Sequence, residues 1–137
     1  MQRTLAIVKP DAVAAGYTGE ILSLIEKHGF RILGMRMLRL RKEQAEGFYA
    51  VHRGKPFYDS LVAFMTEGPV VVAALEAEDA VRKWRDVMGA TNPANAAEGT
   101  IRKRYGSSIE RNATHGSDSP ENAALEVAFF FSAADLL

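Results

Sequence analysis

His115 stands in the run Asn112-Ala113-Thr114-His115-Gly116-Ser117-Asp118, an imidazole set directly before a glycine and close to hydroxyl and carboxylate groups. The conjugate acid of an imidazole ordinarily titrates near about 6.5, so its free nitrogen is a nucleophile at neutral pH and can accept a phosphoryl group without a separate strong base. A lone histidine in a polar loop is ordinarily solvated and inert, so the rest of the chain decides whether this one is set up for chemistry. Cationic side chains cluster at Arg82, Lys83 and Arg85 and again at Arg102, Lys103, Arg104 and Arg111. Most of these charges read as solvated surface. Neither G-x-x-x-x-G-K-[ST] nor G-x-G-x-x-G occurs, so phosphates would have to be held by side chains rather than by a glycine-rich backbone cradle. The absence of Cys removes disulfides, thiolate metal sites and a thiol nucleophile.

The chain has 137 residues, enough to bury a core without covalent or metal staples, and one domain over residues 1–137 is expected. Seventeen Lys and Arg balance seventeen Asp and Glu, which leaves no global field to hold nucleic acid or an anionic membrane. The first apolar run ends at Lys9-Pro10, too short for a signal-peptide core or a membrane span, so a soluble cytoplasmic protein is expected.

Residues 3–8 read as a central strand, stopped by Pro10 with its missing N–H and fixed φ. Lys9 would project from the end of that strand. Thr18 is placed as an N-cap, after which Ile21, Leu24, Ile25 and His28 recur at helical spacing until Gly29. Residues 30–40 read as a half-exposed strand whose Arg31, Arg36 and Arg39 suit an edge or an interface. Residues 42–52 and 58–66 read as two helices joined by Gly54-Lys55-Pro56, with aromatics at the elbow. Residues 70–75 form a third, buried strand, and Asp79 caps a helix running through Trp84 to Gly89.

Residues 90–111 read as a long loop with one helical turn at 100–105, of a length that is usually functional. A short strand at 113–115 and a helix opened by Ser119-Pro120 follow, and the latter ends in a triple Phe at 129–131 read as core. Glu126 lies one turn before Phe130 and shares its face. The order predicts an α+β, ferredoxin-like βαββαβ sandwich with an antiparallel four-stranded sheet and an inserted helical hairpin. Strands at 5–8 and 70–75 carry more apolar surface than one face of a small monomer readily hides, which points to an isologous dimer.

Five motifs in order, spread over essentially the whole chain, resemble the nucleoside diphosphate kinases. They are Leu5-Ala6-Ile7-Val8-Lys9-Pro10-Asp11, then Tyr49 with Lys55-Pro56-Phe57-Tyr58, Gly68-Pro69-Val70-Val71, and Met88-Gly89-Ala90-Thr91-Asn92-Pro93 leading to Gly99-Thr100-Ile101-Arg102, with the His115 run last. The resemblance implies γ-phosphoryl transfer from a nucleoside triphosphate to a nucleoside diphosphate, in a ping-pong cycle through phosphorylated Nδ1 of His115. It implies that Glu126, held by Ser117, accepts from the other ring nitrogen, and that Tyr49 packs and bonds beside His115. Lys9 would touch the transferring phosphate and the ribose 3′-hydroxyl, Asn112 the sugar, and Arg85, Thr91 and Arg102 the remaining phosphates. Phe57 would stack on the base, with Leu61 and Ile109 completing a slot of low base selectivity. Mg²⁺ would be carried mainly by the nucleotide, since no carboxylate cluster offers a cage. The family also implies a dimer-based tetramer or hexamer, with no obligate nucleic acid and no membrane partner.

A regulatory protein without turnover or a phosphohistidine relay to proteins would not need the full set of slot and clamp residues. The chain departs from the common pattern at Ala12, at Ala15 and at Lys103-Arg104-Tyr105, and its last residues are Leu136-Leu137. Those differences bear on oligomer size.

Overall fold

The computed structural model describes residues 1–137. Strand β1 (Gln2–Val8) runs down the middle of a sheet and is followed by two helices, α1 (Pro10–Ala14) and α2 (Thr18–Lys27). Then come β2 (Arg31–Leu38), the hairpin helices α3 (Lys42–Phe48) and α4 (Tyr58–Met65), β3 (Val70–Ala77) and α5 (Ala80–Met88). The chain finishes with α6 (Ile101–Tyr105), β4 (Thr114–Gly116) and α7 (Pro120–Phe130), with 3₁₀ turns at Ala50–His52, Pro93–Asn95 and Ala133–Asp135. The sheet order is β2-β3-β1-β4 and every pairing is antiparallel. This is the expected α+β ferredoxin-like arrangement, with α3 and α4 inserted between its halves.

Alternation along the central strands feeds two cores. Leu5 and Ile7 of β1 join Val70, Val72 and Ala74 of β3 beneath α3, α4 and α7. Ala6 and Val8 join Val71, Ala73 and Leu75 against α2 and α5, where Ile21, Ile25, Trp84 and Met88 pack. Both faces of β1 and β3 are therefore covered within one chain, so the surplus apolar surface expected on these strands is absent. What stays open is β2, an edge strand as its arginines suggested.

Several boundaries differ from the sequence reading. Pro10 ends β1 but also starts α1, because its fixed φ suits the first position of a helix. Thr18 is already helical, and Tyr17 takes the cap position without a side-chain bond. Asp79 does precede α5, at φ 51, yet its carboxylate meets Arg82 Nε at 2.6 Å rather than capping the backbone. The first hairpin helix stops at Phe48, and β4 begins one residue later than expected. Of the three phenylalanines, Phe130 and Phe131 are buried while Phe129 is exposed. Ser119 caps α7 as expected, accepting from the N–H of Asn122 at 3.1 Å.

Candidate active site

β4 places His115 opposite Ile7 of β1, so the imidazole issues from the sheet itself rather than from a mobile loop. Gly116 is required by packing. A Cβ there would lie 2.5 Å from Trp84 Cδ1 and 2.6 Å from Met88 Cε. That approach lets Trp84 Nε1 donate to the carbonyl of His115 at 3.1 Å, which fixes the backbone beneath the ring.

His115 Nε2 lies 2.8 Å from Glu126 Oε1 on α7. The same carboxylate oxygen accepts from Ser117 Oγ at 2.8 Å, and Ser117 Oγ in turn accepts the N–H of Leu5 at 3.1 Å. A carboxylate at Nε2 calls for a proton on that nitrogen, which leaves the lone pair on Nδ1. The ring is flanked by Phe48 at 5.5 Å and Tyr49 at 6.5 Å between centroids, both near-perpendicular. Tyr49 is buried and its hydroxyl has no partner within the chain. Burial, with the Glu126 charge, holds its pKa well above the usual phenol range, so Tyr49 is an unspent neutral donor beside the imidazole.

Lys9 Nζ donates to Asn112 Oδ1 at 2.8 Å, and Asn112 Nδ2 donates to the carbonyl of Thr91 at 3.1 Å. The buried amide thus ties the end of β1 to the long loop. Burial, then the neighbouring Arg102, push the Lys9 ammonium down to about 8. Arg102 is buried too. Its Nη2 donates to the carbonyl of Thr114 at 2.9 Å and its Nη1 to that of Gly89 at 3.2 Å, while Nε has no partner. Burial, then Arg85, bring this guanidinium down to about 10. Arg85 and Thr91 line a pocket of about 370 Å³ with Gly89 and Thr100. A larger apolar cavity of about 500 Å³, between Met1 and Leu136, contains none of the expected site residues.

Phe57 and Ile109 are 46% and 61% exposed, unusual for such side chains, and Leu61 lies one turn beyond Phe57. Ser60 Oγ donates to Glu110 Oε1 at 3.1 Å, joining α4 to the loop that carries Ile109. His52 bridges this group to the His115 side: its ring stacks on Tyr49 at 6.3 Å and meets Phe57 edge-on at 5.2 Å. The expected residues therefore fall into three groups: His115, Ser117 and Glu126, with Tyr49 packed on the ring but without the bond expected of it; Lys9, Asn112, Thr91, Arg102 and Arg85; and Phe57 and Leu61 on the hairpin, with Ile109 on the loop that Glu110 ties to it. The sequence reading missed Phe48 and His52, which carried no signal beyond being aromatic neighbours of Tyr49. It also gave no role to Asp11, although Asp11 stands in the motif after β1.

The description Nucleoside diphosphate kinase belongs to a family model that matches residues 2–136. A nucleoside diphosphate kinase of Syntrophotalea carbinolica is 62% identical over 137 residues, covering 100% of both chains. One from Nitratidesulfovibrio vulgaris is 54% identical, covering 100% of this chain and 99% of its own. Among solved structures, the Aquifex aeolicus nucleoside diphosphate kinase superposes with a TM-score of 0.98 at 45% identity, covering 99% of each chain. A halophilic relative from Halobacterium salinarum, solved in complex with CDP, gives 0.95 at 41% identity, covering 99% of this chain and 91% of that one.

Proposed function

This chain belongs to the nucleoside diphosphate kinase family, whose enzymes move phosphoryl groups between nucleotides, and we propose that it does so through a phosphohistidine at His115. The carrying observation is the Ser117–Glu126–His115 chain of 2.8 Å bonds, which commits Nε2 and leaves Nδ1 free. Nδ1 attacks the γ-phosphorus of a nucleoside triphosphate, an N–P bond forms, and the bond to the diphosphate oxygen breaks. The second diphosphate then takes the group by the reverse step, a ping-pong cycle. Glu126 stabilises the positive charge that the ring acquires on phosphorylation. The Tyr49 hydroxyl, Lys9 and the free Nε of Arg102 are the donors left for the transferring oxygens, and Arg85 and Thr91 supply the rest of the clamp. Lys9 and Asn112 face the ribose 3′-hydroxyl in this reading.

Phe57, Leu61 and Ile109 form the base slot. A ring platform meets the π-face that every base has, so base selectivity is low. That the halophilic relative was solved with CDP, a nucleoside diphosphate, supports a nucleoside diphosphate as the ligand. No group of three or more His, Cys, Asp or Glu side chains comes together anywhere in the chain. The donor set fits a Mg²⁺ ion held through nucleotide phosphates, where it would neutralise phosphate charge. No helix is long and apolar enough to cross a membrane, and we place the protein in the cytoplasm as a dimer-based homo-oligomer, tetramer or hexamer.

Incubation with γ-labelled ATP and Mg²⁺ is expected to label the protein in an acid-labile, alkali-stable form. ADP, GDP, CDP and UDP should each discharge the label at comparable saturating rates. Labelling that persists in His115→Ala would remove the nucleophile, and discharge by one base alone would remove the slot.

A further inference from the structure

Asp11 sits in the first turn of α1, and none of the roles above uses it. Its Oδ2 accepts the backbone N–H of Ala113 at 3.0 Å, while its other oxygen is buried without a partner. The carbonyl of the same Ala113 accepts the N–H of Lys9 at 2.8 Å. Ala113 is fully buried at φ 73, the left-handed region ordinarily left to glycine. A residue with a side chain stays in that conformation only where its surroundings over-determine it. Here both ends of Ala113 are held by Lys9 and Asp11. On one side of this turn lies Asn112, which holds Lys9 Nζ; two residues on lies His115.

We propose that Asp11 is a positioning residue for phosphoryl transfer, its carboxylate holding Ala113 in the left-handed turn that aims His115 and Asn112 at one point. The inference rests on the reading of His115 as nucleophile. The same carboxylate acts on charge. Burial and Arg102 depress the Lys9 ammonium, Asp11 and Glu110 oppose that depression, and the Asn112 amide that meets Nζ is neutral. Asparagine at position 11 would keep an acceptor oxygen for Ala113 but withdraw the charge from Lys9.

The test compares Asp11→Ala and Asp11→Asn with wild type and His115→Ala, reading single-turnover labelling, kcat and KM, and the pH profile of kcat/KM, which reports the free enzyme. Misplacement of the nucleophile should cost Asp11→Ala about ten- to a hundredfold in kcat with KM little changed. Asp11→Asn should label near the wild-type rate at neutral pH, while the alkaline fall of its kcat/KM moves to lower pH as Lys9 loses its proton earlier. Should Asp11→Ala fail to fold, Asp11→Ser, which draws the acceptor away from Ala113 and leaves a smaller void, should show the same loss in kcat and decides the positioning role. Wild-type kcat in Asp11→Ala would overturn the positioning role, and an unmoved alkaline limb in Asp11→Asn would overturn the action of Asp11 on Lys9. Label surviving in His115→Ala would instead overturn the nucleophile and this inference with it.

Discussion

Burial takes the Lys9 ammonium out of water at the end of β1, with Arg102 close by and one neutral acceptor, Asn112 Oδ1, at 2.8 Å. The group is pushed from its ordinary 10.5 to about 8. A lysine whose folded pKa lies below its unfolded value binds its proton less readily when folded. The resulting loss of stability is therefore complete below about pH 8 and fades as pH rises toward the unfolded value. Lys9→Met, which removes the charge and keeps most of the volume, should be more stable than wild type at pH 7, by roughly 1–2 kcal/mol once the lost bond to Asn112 is offset. The advantage should shrink as pH rises above about 8 and be nearly gone at 10.5. The same change should lower turnover by about a hundredfold or more, since a donor aimed at phosphate charge is gone. Urea unfolding at the two pH values, beside a coupled assay, checks both halves, and a variant less stable than wild type at pH 7 would contradict the first.

A three-residue strand, β4, carries His115, the proposed nucleophile, and its accuracy comes from what packs on it. Trp84 and Met88 of α5 press on Gly116 while Ile7 of β1 pairs with His115. Gly116→Ala would drive a methyl into the indole, which should cost about 1 to 3 kcal/mol. It should also pull the His115 carbonyl off Trp84 Nε1, so that kcat falls even at temperatures where the variant is folded. Urea unfolding and kcat measured together check this, and wild-type values for both would show that the helix yields instead. Apolar runs and turn chemistry made the main elements legible: near-continuous apolar stretches marked β1 and β3, and Ser119-Pro120 marked α7. They could not show α1, because Pro10 satisfies both the end of a strand and the start of a helix. They could not show that Asp79 would turn its carboxylate to Arg82, since side-chain competition of that kind depends on the φ actually adopted. The residues of the site were legible only through the resemblance in motif. The same resemblance implied the bonding of Ser117, Glu126 and His115, which the structure shows, but not the contacts of Asn112 with Thr91 and of Asp11 with Ala113, which join segments far apart in sequence.

The sheet of the whole molecule has one well-protected edge and one open edge. β4 closes one side with only three residues, while β2 runs eight residues along the other with no strand beyond it. Exposed backbone on an edge of that length is a template for another strand, and native chains commonly blunt such edges with charge, bulges or cover. The bulge between Ile32 and Gly34 and the arginines go some way toward this. Arg36, however, is drawn inward to the carbonyl of Phe130 at 2.8 Å, and Arg31 is paired with Glu76. That leaves Met35 and Met37, 50% and 63% exposed, as apolar groups on the open strand. Both faces of β1 and β3 are filled within the chain, and this edge, unlike the exposed Leu125 and Phe129 of α7, joins apolar side chains to unpaired strand backbone, so a second copy could add to it about a two-fold axis that brings like residues together. We therefore expect a homo-oligomer whose mass in light scattering at micromolar concentration is a multiple of the 15.0 kDa chain. Met35→Lys with Met37→Lys, which sets like charges against each other across such an axis, should shift that mass toward the single chain while leaving the His115–Glu126 pair untouched. A wild-type protein that is monodisperse as one chain would overturn the assembly, and an unchanged mass in the double variant would move the interface away from β2.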